Sequence, residues 1–150
     1  MKKIFFLLSM FICILNADNN LKTVKWQGMI SYKKDSSILK WYKNYKKAFK
    51  IAQKNNKLVM IDISKHNCSA CEYMREMVFN NIEVKTILKN KFVLVKYYSN
   101  EVPKKFRSEY FNFAPTILFY NKNGKLIDEI YGARPYKKFL NELTKIIKGK

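Results

Sequence analysis

Two cysteines, Cys68 and Cys71, stand three positions apart where two kinds of sequence meet. Before them runs Leu58-Val59-Met60-Ile61-Asp62-Ile63, apolar on both faces and rich in β-branched residues, as a central buried strand is. After them, Ala70 to Phe79 turns helical, with Cys71, Met74 and Val78 on one stripe. A strand apolar on both faces needs cover on both sides. The region around the two thiols is therefore read as a layered α/β domain.

The third cysteine, Cys13, belongs to a different segment. Met1-Lys2-Lys3 is followed by a mostly apolar run from Ile4 to Leu15, then Asn16-Ala17-Asp18. A short basic end, an apolar run of this length and a small residue describe a secretory signal peptide, with cleavage expected after Ala17. The run falls short of the roughly 20 apolar residues of a spanning helix. An uncleaved N-terminal anchor facing the periplasm is the alternative. Met10-Phe11-Ile12 lacks the small residues that lipid attachment at Cys13 would want. The expected organisation is a signal peptide over 1–17, an N-terminal extension over 18–36 and one folded domain over 37–150, in the periplasm. The exported chain then keeps only Cys68 and Cys71. In an oxidising compartment a bridge over two intervening residues restrains the unfolded chain little. The pair is better explained by chemistry than by stapling.

The charge is lopsided: Lys plus Arg number 30 against 11 Asp plus Glu, a net +19. Only Arg75, Arg107 and Arg134 are arginines. Recognition of bases and phosphates favours the Arg fork, whereas lysines spread along every segment read as a solvated surface. Nucleic acid is not an expected partner. A weak attraction to anionic membrane surfaces or acidic partners is what such a field offers.

Along the chain, Trp26–Ile30 reads as a short strand. Ser37–Asn55 reads as an amphipathic helix, because Ile38, Tyr42, Tyr45, Phe49 and Ala52 recur at steps of four and three. Ile82–Lys89 is helical and Phe92–Tyr97 a second strand. Pro103–Tyr110 is a short helix. Thr116–Tyr120 and Leu126–Tyr131 form a hairpin around the Asn-Gly turn signal at Asn123-Gly124. Pro135 opens a terminal helix whose inner face is Phe139, Leu140, Leu143, Ile146 and Ile147. Strand–helix–strand units followed by an antiparallel hairpin imply a mixed central sheet flanked by helices.

Cys68 stands where a strand ends and a helix starts. The first turn of a helix offers unpaired N–H groups and the positive end of the dipole. A thiolate at Cys68 is stabilised there. Cys71, one turn on, reaches Cys68 from a more protected position. The order strand, Cys68-Ser69-Ala70-Cys71 at a helix start, and Ala114-Pro115-Thr116 before a hairpin resembles the thioredoxin superfamily over about Ser37–Lys148. Trp41, the helix end at Ala48–Lys57, Met74 and Phe79 make it most similar to secreted bacterial thioredoxin-like proteins. That branch includes the periplasmic C-terminal domain of the membrane thiol:disulfide interchange protein.

The resemblance implies a thioredoxin-like fold and a thiol:disulfide oxidoreductase with a redox-active Cys68–Cys71 disulfide. It implies a cis peptide at Pro115 facing the cysteines, and an Ala114 backbone offered to an extended substrate segment. Asp62 matches the family's buried acid, which helps Cys71 lose its proton; a strand-end Asp bonded to backbone is the bland reading. His66, two before Cys68, favours the thiolate if protonated, or is a solvated loop histidine. The family commonly has Trp before the first cysteine, where this chain has Asn67, a departure that bears on substrate contact. Lys65 and Arg75 read as solvated charges, and Tyr73 as packing the edge of the site.

Other chemistries meet specific obstacles. Attached haem wants His after the second cysteine, and Glu72 is there. Structural zinc takes four ligands, and Cys68, Cys71 and His66 supply three at most. Copper(I) handling by the two thiolates, or an inert dithiol in a binding module, is the alternative reading. No cofactor is expected. Electrons exchange with protein disulfide substrates and with a membrane electron relay or another thiol redox protein. The buried acid leans the reading toward a reductase.

Overall fold

The structure, a computed structural model, describes residues 38–107 and 113–149. The strand expected at Trp26–Ile30 and the expected signal peptide lie outside the described residues. A five-stranded sheet carries the fold: β1 (Trp41–Tyr42), β2 (Leu58–Ser64), β3 (Phe92–Tyr98), β4 (Thr116–Tyr120) and β5 (Leu126–Tyr131). The spatial order is β1-β3-β2-β4-β5. β1 and β2 both run parallel to β3, while β4 is antiparallel to β2 and β5 to β4. This is the mixed sheet flanked by helices that the element order implied.

Central position explains the composition of β2. It is bonded to β3 on one side and β4 on the other, and all seven of its residues are buried. Alternation splits it between two cores. Leu58 and Met60 pack with Met74, Val78, Phe119 and Phe139, under the helices that follow the cysteines. Val59, Ile61 and Ile63 pack with Ala48, Ala52, Val95 and Leu118, under helix α1 (Tyr45–Asn55). Asp62 and Ser64 fall on the first face, beyond the end of its apolar stretch.

The first helix is shorter than its periodicity suggests. Residues Ser37–Asn55 read as one helix, but Trp41 and Tyr42 pair with Leu94 and Val95 as an edge strand. Ile38 is 91% exposed, so the first step of the stripe lies on no buried face. Asn44, two residues past the strand, caps α1, its side chain accepting from the Lys47 N–H at 3.1 Å. Tyr42 still packs beside Tyr45 and Phe49, from a strand rather than a helix. Period-four spacing across a strand–helix junction mimicked one continuous face.

Helix α2 (Ser69–Tyr73) follows Cys68 and passes into a π-helical turn, Met74–Val78. Helix α3 (Ile82–Lys91) is capped by Asn81, whose side chain accepts from the N–H groups of Glu83 and Val84. The helix expected over Pro103–Tyr110 is a 3₁₀ turn, Lys104–Phe106, and residues 108–110 of that expectation lie outside the described residues. Phe106 is buried there, edge-on to Tyr45 with ring centroids 5.0 Å apart. The hairpin turn forms at Asn121–Lys125, with Asn121 Oδ1 accepting from the N–H groups of Asn123 and Lys125. Gly124 takes φ +85° there, the left-handed region that glycine enters without steric cost. Helix α4 (Tyr136–Lys148) follows Pro135 and buries Phe139, Leu143 and Ile146. Among the described residues, no helix is long and apolar enough to cross a membrane.

Candidate active site

The site gathers where β2 and β3 end. After Ser64, the chain turns through Lys65–Asn67, with Asn67 at φ +53°, a region that Asn tolerates better than most side chains. Cys68 then caps α2 in extended backbone, and its sulfur accepts from the Cys71 N–H at 3.2 Å. Cys68 and Cys71 are joined by a disulfide. Cys68 is half-buried, whereas Cys71 is 9% exposed, packed on the face that also buries Met74. One sulfur is open to approach and the other is covered. That asymmetry follows from the helix: the cap residue projects at its end, and the residue three on turns toward the sheet.

Ala114 and Pro115 reach the site from a segment remote in sequence. The Ala114–Pro115 bond is cis, and the Ala114 carbonyl oxygen lies 3.8 Å from Cys68 Sγ. Pro115 O accepts from the Gly132 N–H at 2.8 Å, tying the segment to the end of β5. The Arg134 N–H meets Met74 Sδ at 3.3 Å, joining the loop after β5 to the turn that follows the cysteines.

Asp62 is 2% exposed and sits on the cysteine-bearing side of the sheet. It ionises within a set of partners rather than against backbone. Ser64 Oγ donates to Asp62 Oδ2 at 3.1 Å, and Lys96 Nζ stands 3.8 Å from the same oxygen. Asp62 Oδ1 is buried with no hydrogen-bond partner. Loss of hydration raises the carboxyl pKa to about 6, and the nearby Lys96 charge and the Ser64 hydroxyl hold it from going higher.

His66 is exposed and stacks on Tyr98, with ring centroids 4.0 Å apart and planes 12° from parallel. Both rings line a cavity of about 230 Å³ with Cys68, Cys71, Arg75 and Lys96. Lys65 lines it too, so two charges expected only to face solvent also border the disulfide. Arg75 keeps solvent contact and pairs with Glu72 at 3.2 Å and Glu76 at 2.7 Å. Tyr73 is 40% exposed two residues after Cys71 and is outside that lining. Among the described residues, no three His, Cys, Asp or Glu side chains gather to hold a metal.

Of the residues singled out from sequence, His66, Cys68 and Cys71 line one cavity, Ala114 and Pro115 come to Cys68 from outside it, and Asp62 contacts Ser64 and Lys96 of its lining. Sequence reading did not single out Lys96, Ser64 or Tyr98. The signal for Lys96 was present. Leu58-Val59-Met60-Ile61 is broken by Asp62, and Phe92-Val93-Leu94-Val95 is broken by Lys96 at the same step. Aligned as parallel neighbours, the two strands put these charges opposite each other, as the register Asp62 to Lys96 shows. Tyr98 and Ser64 lie opposite one another two positions further, at the strand ends that form the cavity floor.

The arrangement can perform disulfide exchange: a half-buried cysteine at a helix start and a buried one a turn away, joined sulfur to sulfur, with a buried acid of raised pKa on the same side of the sheet. Comparison with known proteins agrees with it. Residues 45–147 match the thioredoxin-like domain family. A thioredoxin from Thermus thermophilus is 26% identical, over 73% of this chain and 87% of that one, with TM-score 0.62. The oxidised DsbD C-terminal domain of Neisseria meningitidis is 18% identical, over 71% and 98%, with TM-score 0.55. A thioredoxin-fold protein from Helicobacter pylori is 22% identical, over 75% and 76%, with TM-score 0.53. No curated protein sequence matches. With its family domain spanning more than half the chain, this protein belongs to the thioredoxin-like domain family.

Proposed function

We propose that the protein is a thiol:disulfide oxidoreductase acting on protein disulfides, and that it works as a reductase. The observation that carries this is the accessible Cys68 sulfur at the start of α2, bonded to a covered Cys71 and faced by the Ala114 carbonyl. In the reduced protein, the Cys68 thiolate attacks one sulfur of a substrate disulfide. A mixed disulfide forms and the substrate's first thiolate leaves. Cys71 gives up its proton, with Asp62 as the acceptor through water, and attacks Cys68 Sγ. The substrate's second thiolate leaves and the Cys68–Cys71 disulfide remains. Two electrons have passed from the dithiol to the substrate, and another thiol protein or a membrane electron relay restores them.

Ala114 presents backbone to an extended substrate segment beside Cys68. His66, held by Tyr98, borders the same approach and favours the thiolate when protonated. The basic end and apolar run at residues 1–17 support an exported, periplasmic protein whose mature chain starts at Asp18; Edman sequencing of the secreted form should return Asp18, whereas Met1 would indicate an anchored protein. The direction of transfer is supported by Asp62, since a nearby proton acceptor speeds resolution of the mixed disulfide.

The deciding experiment is insulin reduction with dithiothreitol as donor. Turnover is expected with the native chain and not with Cys68→Ala. Cys71→Ala is expected to trap mixed disulfides with clients. Persisting turnover without Cys68 would remove it as the nucleophile. Equilibration with glutathione tests direction: a potential well below that of the glutathione pair marks a reductase, and one well above it marks an oxidant, each 30 mV being about 1.4 kcal/mol.

A further inference from the structure

We propose that the end of the sheet remote from the disulfide docks on an anionic phospholipid surface and leaves the cysteines facing away from it. The topology brings this end together. β2 and β3 begin side by side, with Leu58 opposite Phe92, and β4 ends there, with Tyr120 opposite Val59. The hairpin turn Asn121–Lys125 therefore lies at the same end, as do the C-termini of α1 and α3, which lead into β2 and β3. Gly149, just past α4, shares a cavity lining with Leu58 and completes the group.

The charge of this end is of one sign. Lys54, Lys57, Lys89, Lys91, Lys122, Lys125, Lys145 and Lys148 occupy it, and segments 53–58, 88–92, 120–127 and 144–149 contain no Asp or Glu. All but Lys57 are exposed. Part of the pattern has a local cause. Lys54, Lys89, Lys91, Lys145 and Lys148 lie in the last turns of helices, where a cation complements the negative end of the dipole. Lys57 bonds the Lys89 carbonyl at 2.9 Å and is explained the same way. Lys122 Nζ donates to Oδ1 of Asn56, the residue that ends α1, at 3.0 Å. Lys125 closes the hairpin turn and lies at no helix end.

A cavity of about 560 Å³ opens between these elements, lined by Asn56, Lys57, Lys122, Lys125, Leu126 and Ile127 among others. Leu126 is 39% exposed in the midst of the lysines. Cations ringing an exposed aliphatic residue suit the lipid interface, which takes charge at the headgroups and apolar side chains just beneath. A nucleic-acid backbone uses the cations but offers nothing to the aliphatic residues, and all eight cations are lysines rather than forked arginines. The acids Asp128 and Glu129 further along β5 mark the edge of the face. The disulfide lies at the opposite end of β2, about 20 Å away at the usual strand rise. Docking by the lysine end leaves it open to clients.

The test is cosedimentation of the full chain with vesicles of phosphatidylcholine alone or containing one-third phosphatidylglycerol, at low salt. Near such a surface each lysine contributes about fivefold in partitioning. The triple variant Lys122→Glu, Lys125→Glu, Lys148→Glu is expected to bind the anionic vesicles at least about a hundredfold more weakly. The variant Lys43→Glu, Lys46→Glu, Lys138→Glu, equal in charge change but placed on other exposed positions, is expected to lose only a few-fold. The Cys68→Ala chain is expected to bind as the native one does, so this result stands apart from the redox reading. Equal losses in the two triple variants would reduce the effect to net charge and overturn the proposal. Native-level binding by the first variant, or no preference for anionic over neutral vesicles, overturns it as well. So does retention on duplex DNA, lost with the same three lysines, in a protein that ignores vesicles.

Discussion

The two ends of the central sheet use charge in opposite ways. At the disulfide end, cations and anions come in contact: Asp62 with Lys96, Arg75 with Glu72 and Glu76, Arg134 with Glu142 at 3.6 Å. At the other end, eight lysines share a surface whose segments hold no acid. A charge taken from water must be compensated nearby or lose its proton, and Asp62 shows both responses, with a partner on one oxygen and a pKa raised to about 6. Exposed charges of like sign keep their hydration and act at a distance that salt screens, about 10 Å at 0.1 M. The first arrangement tunes a reacting group, and the second builds a field.

The sharpest way to break this division is to exchange the readouts. Cys68→Ala is expected to bring insulin reduction down to the uncatalysed background, while the Lys122, Lys125, Lys148 triple variant keeps the native rate on a small uncharged disulfide. A fall in that rate for the lysine variant would mean that the two ends are coupled, and the separation argued from the topology would not hold.

How much of this was legible from sequence depends on the range of the interaction. Cys68 and Cys71 were found because three residues of helix bring them together, and the flanking strand and helix carry their own periodicity. The hairpin was legible because Asn121 to Lys125 is a local turn with its own hydrogen bonds. Lys96 leaves a mark, a charge that breaks an apolar strand, but its partner and the meaning of Tyr98 depend on which strand lies beside which, and the parallel partners are 34 positions apart. Trp41–Tyr42 was misjudged for a related reason: pairing with Leu94 and Val95 overrode a spacing that looked helical. The lysine end was invisible for the same cause. Each lysine looked like an ordinary solvated charge until the topology gathered three helix ends and a turn in one place.

The next effect in size concerns Asp62. Its pKa is raised from 3.8 to about 6, so the folded state holds its proton more tightly than the unfolded chain does. Stability is therefore greatest where Asp62 is protonated and falls as pH climbs from about 4 through 6. A shift of this size corresponds to on the order of 3 kcal/mol. Asp62→Asn removes the dependence, and denaturant unfolding should find the variant more stable than the native protein at pH 8 by roughly 1–3 kcal/mol, with little difference near pH 4. The same variant should resolve mixed disulfides more slowly at neutral pH, because the proton acceptor is gone. A native-like pH profile of stability in the variant would mean that another group carries the titration.

Lys96→Met is the finer test of the same end, because it removes the compensating cation and leaves the acid. The Lys96 side chain is 25% exposed and its Nζ stands 3.8 Å from Asp62 Oδ2, so solvent screens part of the attraction. Its charge lowers the Asp62 pKa, and removing it moves that pKa upward. The sign of the stability change then depends on pH. Below about 5, where Asp62 is neutral in the folded state, the variant should match the native protein, since a neutral acid gains little from a nearby ammonium. Between pH 6 and 8 the native carboxylate is charged and partnered, whereas the variant must bury the charge alone or keep its proton. A loss of about 1 kcal/mol is expected there, smaller than and opposite in sign to the Asp62→Asn effect. Because the two groups are in contact, the double variant should not show the sum of the two changes. Once Asp62 is gone, Lys96→Met should cost almost nothing at any pH. An additive double variant would place the two charges in separate environments, and the contrast between a paired end and a field-building end would lose its clearest instance.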